Sequence, residues 1–255
     1  MGYRTQNRGN GRKMGKLSRK AQRRANAPPQ MDATHFAALF DVSRETMQRL
    51  EIYRKLLAKW QDSVNLVGPS TTGQFWTRHA ADSAQLLALA PNNANLWVDI
   101  GSGGGFPGLI IAQFWAERPQ TDRAIVHLVE SGARKCAFLD EVIRATNAPA
   151  QIHEGRIETL IAERPAELAG ADVVSARALA PLPKLLEISK GYFDSHTKGL
   201  FLKGKEWEAE LALARQFWTF DVDIVPSITD PQARILCCGQ PHPVTQAQNL
   251  TPAQP

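Results

Sequence analysis

Apolar residues recur along this chain with two different periods, and the change from one to the other outlines the fold. Met47, Leu50, Tyr53, Leu57 and Trp60 fall three or four positions apart, so residues 32–67 read as a helical segment that Ser43 can cap. A second apolar stretch from Ala84 to Ala90 stops at the turn-forming Pro91-Asn92-Asn93. From Leu96 onward, short apolar runs alternate with helical patterns. Strands are predicted to begin at Leu96 and to cover 124–130, 150–153, 171–175 and 200–203, and residues 134–146 form a helix with Phe138, Leu139, Val142 and Ile143 on its inner side. Residues 220–225 and 233–238 read as a closing antiparallel pair. Such alternation predicts an α/β fold, a seven-stranded doubly wound Rossmann-like sheet under an N-terminal helical cover.

Composition bounds the organisation. The 255 residues are 43% hydrophobic, enough for one core with appendages. No apolar run approaches the roughly 20 residues that span a bilayer, and the start lacks an apolar signal region, so a soluble, cytoplasmic protein is expected, with no membrane partner. Three cysteines, two of them adjacent, offer neither a disulfide framework nor metal-ligand spacing, and no metal site is expected. Charge is uneven: residues 1–24 hold nine Lys or Arg and no acid, while the rest of the chain is net acidic. Residues 1–30 therefore read as a disordered basic arm, suited to RNA phosphates or simply solubilising, with an organellar transit peptide as a further reading. Residues 31–240 form the folded domain with its N-terminal helices, and the Pro/Gln/Thr-rich 241–255 a loose tail.

The chemistry concentrates where the first strand ends. In Asp99-Ile100-Gly101-Ser102-Gly103-Gly104-Gly105-Phe106-Pro107-Gly108 a turn almost without side chains opens a helix, so backbone N–H groups can approach a ligand at the helix's positive end. Gly103, Gly105 and Gly108 satisfy the dinucleotide spacing G-x-G-x-x-G, which keeps an NAD-dependent dehydrogenase as an alternative. Asp99 argues for another ligand, because a carboxylate there repels a pyrophosphate and suits the cationic amino-acid end of S-adenosyl-L-methionine. Glu130 ends strand two beside the glycine turn, where a carboxylate can accept from both ribose hydroxyls. The Ile157 N–H and the Glu158 carboxylate could read an adenine ring. Arg177, just past strand four, stands where a methyl acceptor enters. Arg78 and His79 could position RNA phosphate or a guanine edge, or instead form a buried pair with Asp82. Phe106 and Trp76 are the aromatic candidates for stacking.

Six segments in fixed order resemble one family. They are Trp60 with Asn65-Leu66, Arg78-His79-x-x-Asp82-Ser83, the glycine turn from Asp99 to Gly108, Glu130 with Arg134-Lys135, Arg156-Ile157-Glu158, and Ser175-x-Arg177-Ala178. Over residues of about 40 to 205 the chain resembles the bacterial glucose-inhibited-division B proteins, methyltransferases that modify guanine N7 in 16S ribosomal RNA. The resemblance implies a seven-stranded S-adenosylmethionine methyltransferase, with Gly101, Phe106, Ile157, Glu158 and Arg177 at or beside the cofactor. It also implies 16S ribosomal RNA or a 30S particle as partner. Guanine N7 carries a lone pair and no proton, so transfer needs alignment and no general base. The residues agree: no Pro-Pro-aromatic box follows strand four, and Cys136 lies in the helix after strand two, away from where a nucleophile would be needed. Nothing calls for an obligate protein partner, and a monomer is expected. A non-catalytic RNA-binding factor of ribosome assembly is the remaining alternative.

Overall fold

The computed structural model describes residues 31–119, 123–163 and 166–244, so the expected basic arm and residues 245–255 of the expected tail lie outside the described residues. The sheet is built from β1 (Leu96–Ile100), β2 (Ile125–Glu130), β3 (Ala150–Glu154), β4 (Val173–Arg177), β5 (Lys198–Lys203), β7 (Val222–Pro226) and β8 (Arg234–Cys238), in the order β3-β2-β1-β4-β5-β8-β7. The first five strands run parallel, and β8 lies antiparallel to both β5 and β7. The strand order reverses between β1 and β4, which opens a crevice at their carboxyl ends.

The alternating hydrophobic faces fill two cores. On one face Trp97, Leu128, Leu200 and Ile235 pack with Leu109, Phe138 and Tyr53 from α3 (Gly108–Trp115), α4 (Ala133–Thr146) and α2 (Arg44–Gln61). On the other, Ile100, Val174 and Phe201 pack with Leu160 of α5 (Ile157–Glu163), Leu186 of α6 (Leu182–Ser189) and Leu211 of α7 (Trp207–Ala214). Burial on both faces explains why the central strands read as continuous apolar runs.

Where the structure departs from the sequence expectation, the cause is local. Residues 32–67 form two helices, α1 (Ala33–Leu39) and α2, because Asp41 turns left-handed with φ 48°. Ser43 caps the second, its side chain accepting from the Thr46 amide. Strand β4 starts and ends two residues later than expected, which makes Arg177 its last residue. Strand β5 gains Lys198 and Gly199, polar or small residues that an apolar run does not include; a Cβ on Gly199 would come within 2.8 Å of Phe193. Past position 240, β9 (His242–Pro243) pairs with β6 (Trp218–Thr219), so ordered backbone continues into the stretch expected to be loose. Among the described residues no helix is long and apolar enough to cross a membrane.

Candidate active site

A cavity of about 750 Å³ opens at the carboxyl ends of the parallel strands, and the glycine turn forms its floor. The turn is tied to the neighbouring strand by the Gly101 and Ser102 amides, which donate to the Val129 carbonyl at 2.8 and 3.1 Å. Gly101 and Gly103 hold φ of 68° and 56°, a left-handed conformation that a side chain disfavours. Glu130 closes one side. Its carboxylate accepts from the amides of Gly103 at 2.9 Å and Gly132 at 2.8 Å, and the Lys135 ammonium stands 3.6 Å away. A carboxylate has about four acceptor positions, so capacity for two hydroxyls remains. Gly155, Arg156, Ile157 and Glu158 continue this wall at the start of α5.

The opposite wall is made of side chains. Between Gln74 and Asp82 the chain forms a π-helix, Phe75–Ala81, that carries Arg78 and His79 in its last turn. Arg177 joins this group from β4. One of its nitrogens donates to the Arg78 carbonyl at 2.5 Å, the other to His79 Nδ1 at 3.0 Å, and its guanidinium lies 4.9 Å over the Phe106 ring. His79 stacks on the same ring at 4.7 Å and meets the Thr71 carbonyl through Nε2 at 3.2 Å. That carbonyl can only accept, so Nε2 carries the proton and Nδ1 takes the hydrogen bond from Arg177. Burial, and next the positive charge of Arg177, press the His79 pKa down to about 3, which keeps the ring neutral. Asp82 balances the guanidinium at 3.5 Å, and Arg78 pairs with Asp230 at 3.2 Å. Just after Arg177, Ala178 is held at φ 54°, and Lys203 pins the following loop by donating to the Ala180 carbonyl at 2.6 Å.

Of the residues singled out in the sequence, Gly101, Gly103, Phe106, Glu130, Ile157, Glu158, Arg78, His79 and Arg177 all line this cavity. Two do not. Asp99, expected to face a cationic ligand, is fully buried outside the wall; its two oxygens accept from the Ser175 hydroxyl at 2.7 Å and the Gly108 amide at 3.1 Å. Burial raises its pKa to about 6 against the pull of those two donors. Asp99 is thus a brace joining β1, β4 and the start of α3. Gly105 also turns away: a Cβ there would lie 2.6 Å from the Tyr53 hydroxyl and 2.7 Å from Leu109, so its bareness serves the helical cover. Trp76, the other stacking candidate, packs on Phe36 and Phe75 in the first core.

Sequence reasoning missed Tyr53, which donates to the Gly104 carbonyl and stacks on Phe106 at 5.3 Å, and the part played by Thr229 and Asp230 in the loop between β7 and β8. In the sequence Tyr53 stands only as one member of a helical stripe. The π-helix escaped because its turns do not follow the 3.6-residue period.

The sequence pattern of the family described as rRNA small subunit methyltransferase G, GidB, matches residues 46–236. The chain is 48% identical over 225 residues to the ribosomal RNA small subunit methyltransferase G of Parvibaculum lavamentivorans, covering 86% of this chain and 96% of that protein. It is 51% identical over 206 residues to the protein of that name from Methylobacterium nodulans, covering 80% and 93%. Among solved structures, a putative O-methyltransferase from Klebsiella pneumoniae shares the fold at 15% identity and a TM-score of 0.52, over 85% of this chain and 98% of that one.

Proposed function

Since the chain belongs to the GidB family of rRNA small subunit methyltransferase G, S-adenosylmethionine-dependent enzymes acting on ribosomal RNA, we propose that its acceptor atom is N7 of a guanine in 16S ribosomal RNA. The observation that carries this reading is the wall around Arg177: it turns a guanidinium toward the cavity and, among the described residues around it, offers no group poised to take a proton. The imidazole there is used at both ring nitrogens and has a pKa near 3, and Asp82 and Asp230 are each paired with an arginine. Guanine N7 presents a lone pair with no proton to remove, so alignment suffices.

The cofactor, when bound, supplies a methyl group on a positively charged sulfur. This chain's residues fit it: Glu130 takes the ribose hydroxyls with its remaining acceptor positions, the Ile157 amide and Glu158 meet the adenine, and the bare turn at Gly101 and Gly103 admits the methionine end. Asp99 supports that turn from behind, so any partner for the cofactor's ammonium has to come from the cavity wall. Arg177 presents its guanidinium edge to guanine O6 while Phe106 carries it from below. Because Asp82 neutralises Arg177, this wall does not repel a purine that gains positive charge as the methyl arrives. Arg78 and His79 position Arg177 through their carbonyl and ring nitrogen.

We further place the enzyme in the cytoplasm, acting as a monomer without an obligate protein partner, with residues 1–30 as an RNA-binding arm. The dehydrogenase and the non-catalytic assembly factor find no support in the family to which the chain belongs. The test is transfer of labelled methyl to naked 16S RNA and to 30S particles, followed by digestion to nucleosides and mass spectrometry. The expected product is 7-methylguanosine; N1- or N2-methylguanosine, or a methylated pyrimidine, overturns the assignment.

A further inference from the structure

The hairpin that closes the sheet reaches the acceptor wall through a buried polar network. In the turn between β7 and β8, the Thr229 hydroxyl donates to Asp82 Oδ1 at 2.6 Å. Gln85 Nε2 donates to the same oxygen at 3.1 Å and to the Ser227 hydroxyl at 3.3 Å, and Gln85 Oε1 accepts from the Ile228 amide at 3.0 Å. The hydroxyls of Ser227 and Thr229 are themselves 3.0 Å apart. Asp82, Gln85, Ser227 and Thr229 are all buried, whereas Ile228 between them is 51% exposed. The turn is therefore held here by hydrogen bonds rather than by burying its own apolar residue.

This arrangement has a direction. Asp82 receives the turn on Oδ1 and faces Arg177 with Oδ2, and Arg177 faces the cavity. A carboxylate fixed on one oxygen by a hydroxyl and an amide cannot rotate away from a guanidinium on the other without leaving buried polar groups unsatisfied. We propose that Thr229 and Gln85 are positioning residues for methyl transfer: they lock Asp82, and Asp82 holds the Arg177 guanidinium over Phe106 at the angle the acceptor base requires. The inference rests on the role given to Arg177 under the proposed function. It adds that Thr229, remote in sequence and outside the cavity lining, sets the rate through Asp82.

Thr229→Val keeps the shape of the side chain and removes the hydroxyl, and Thr229→Ser restores it. In Thr229→Val, kcat for methylation of small-subunit RNA is expected to fall at least tenfold. The RNA KM and the affinity for S-adenosylhomocysteine should stay within twofold of wild type, and Thr229→Ser should recover most of kcat. Ser227→Ala, one hydrogen bond further from Asp82, gives a smaller loss and serves if Thr229→Val does not fold. A second readout needs no RNA: in nitrogen-15 spectra the His79 ring signals, set by the bond from Arg177, should move in Thr229→Val and return in Thr229→Ser. Unmoved His79 signals, or unchanged kcat in an active enzyme, overturn the latch. Loss of melting temperature and cofactor affinity together with kcat, without rescue by serine, overturns it as well. A wild-type protein that methylates no ribosomal RNA counts against the proposed function, and the spectra then decide the latch by themselves.

Discussion

Around Glu130 the cavity is walled by main-chain amides gathered over short stretches, such as the link joining Gly103 to Glu130 across 27 positions. Around Arg177 it is walled by side chains that meet across 98 positions to His79, 147 from Asp82 to Thr229 and 152 from Arg78 to Asp230. A wall of amides tolerates changes in side-chain chemistry and resists an added Cβ; a wall of interlocked side chains does the reverse. The first suits a small ligand of fixed shape. The second can be retuned to an acceptor presented by a macromolecule, at the cost of depending on distant parts of the chain.

If the two halves are separable, changes in one should leave the other's equilibrium intact. The largest effect is expected for Arg177→Lys, which keeps a charge but loses the fork that reaches Arg78, His79 and Asp82 together; turnover should fall about 100-fold, the scale of a misaligned reacting group. S-adenosylhomocysteine affinity by calorimetry should hold within twofold, and an equal loss there would show the halves to be one unit. Glu130→Gln comes next. It replaces a charged acceptor of two amides by a neutral one that turns a donor toward one of them, costing about 1.5 kcal/mol or near tenfold in cofactor affinity, with turnover at saturating cofactor close to wild type. A turnover loss that saturation does not repair would break the division.

The smallest effect sharpens the comparison by acidity. His127 and His153 meet ring to ring at 2.7 Å, buried in the β2–β3 side of the sheet. Burial, and next the like charge of its partner, lower His127 to about 4, and burial lowers His153 as well. Both folded values lie below that of the unfolded imidazole. Their contribution is therefore whole above about pH 6.5 and is lost as pH falls toward 4, where the unfolded chain takes up protons that the folded one refuses, by at most about 1.4 kcal/mol per unit and per histidine. Asp99, raised to about 6, runs the other way: its share is whole below the ordinary carboxylate value and fades as pH rises through 6. Urea unfolding at pH 7.5 and 5 should show a net loss of stability on acidification, and His127→Asn a shallower one. A steeper loss in the variant would remove the pair from the account.

The division also explains what could be read from the sequence. The sheet was legible because its central strands are buried on both faces, and the place of Gly101, Gly103, Glu130, Ile157, Glu158 and Arg177 beside the cavity was legible because each lies at, or within a few residues past, the carboxyl end of a parallel strand in a doubly wound order. A motif names every member alike, whereas the fold turns Gly101 and Gly103 toward the cavity, Asp99 toward Ser175 and the Gly108 amide, and Gly105 toward the helical cover. Asp82 stood in a word shared with the family, but its distant partner Thr229 lies in Ser227-Ile228-Thr229-Asp230-Pro231, which locally reads as no more than a turn. Only the folding of the hairpin onto β5 brings that turn to Asp82.

That placement has a bearing on how the protein comes into being. Chains leave the ribosome amino-terminal end first, and domains assemble from what has emerged. Glu130, the glycine turn and Ile157 are made well before Thr229 and Asp230, so the links from Asp82 to Thr229 and from Arg78 to Asp230 cannot form until the last hairpin of the sheet has been made.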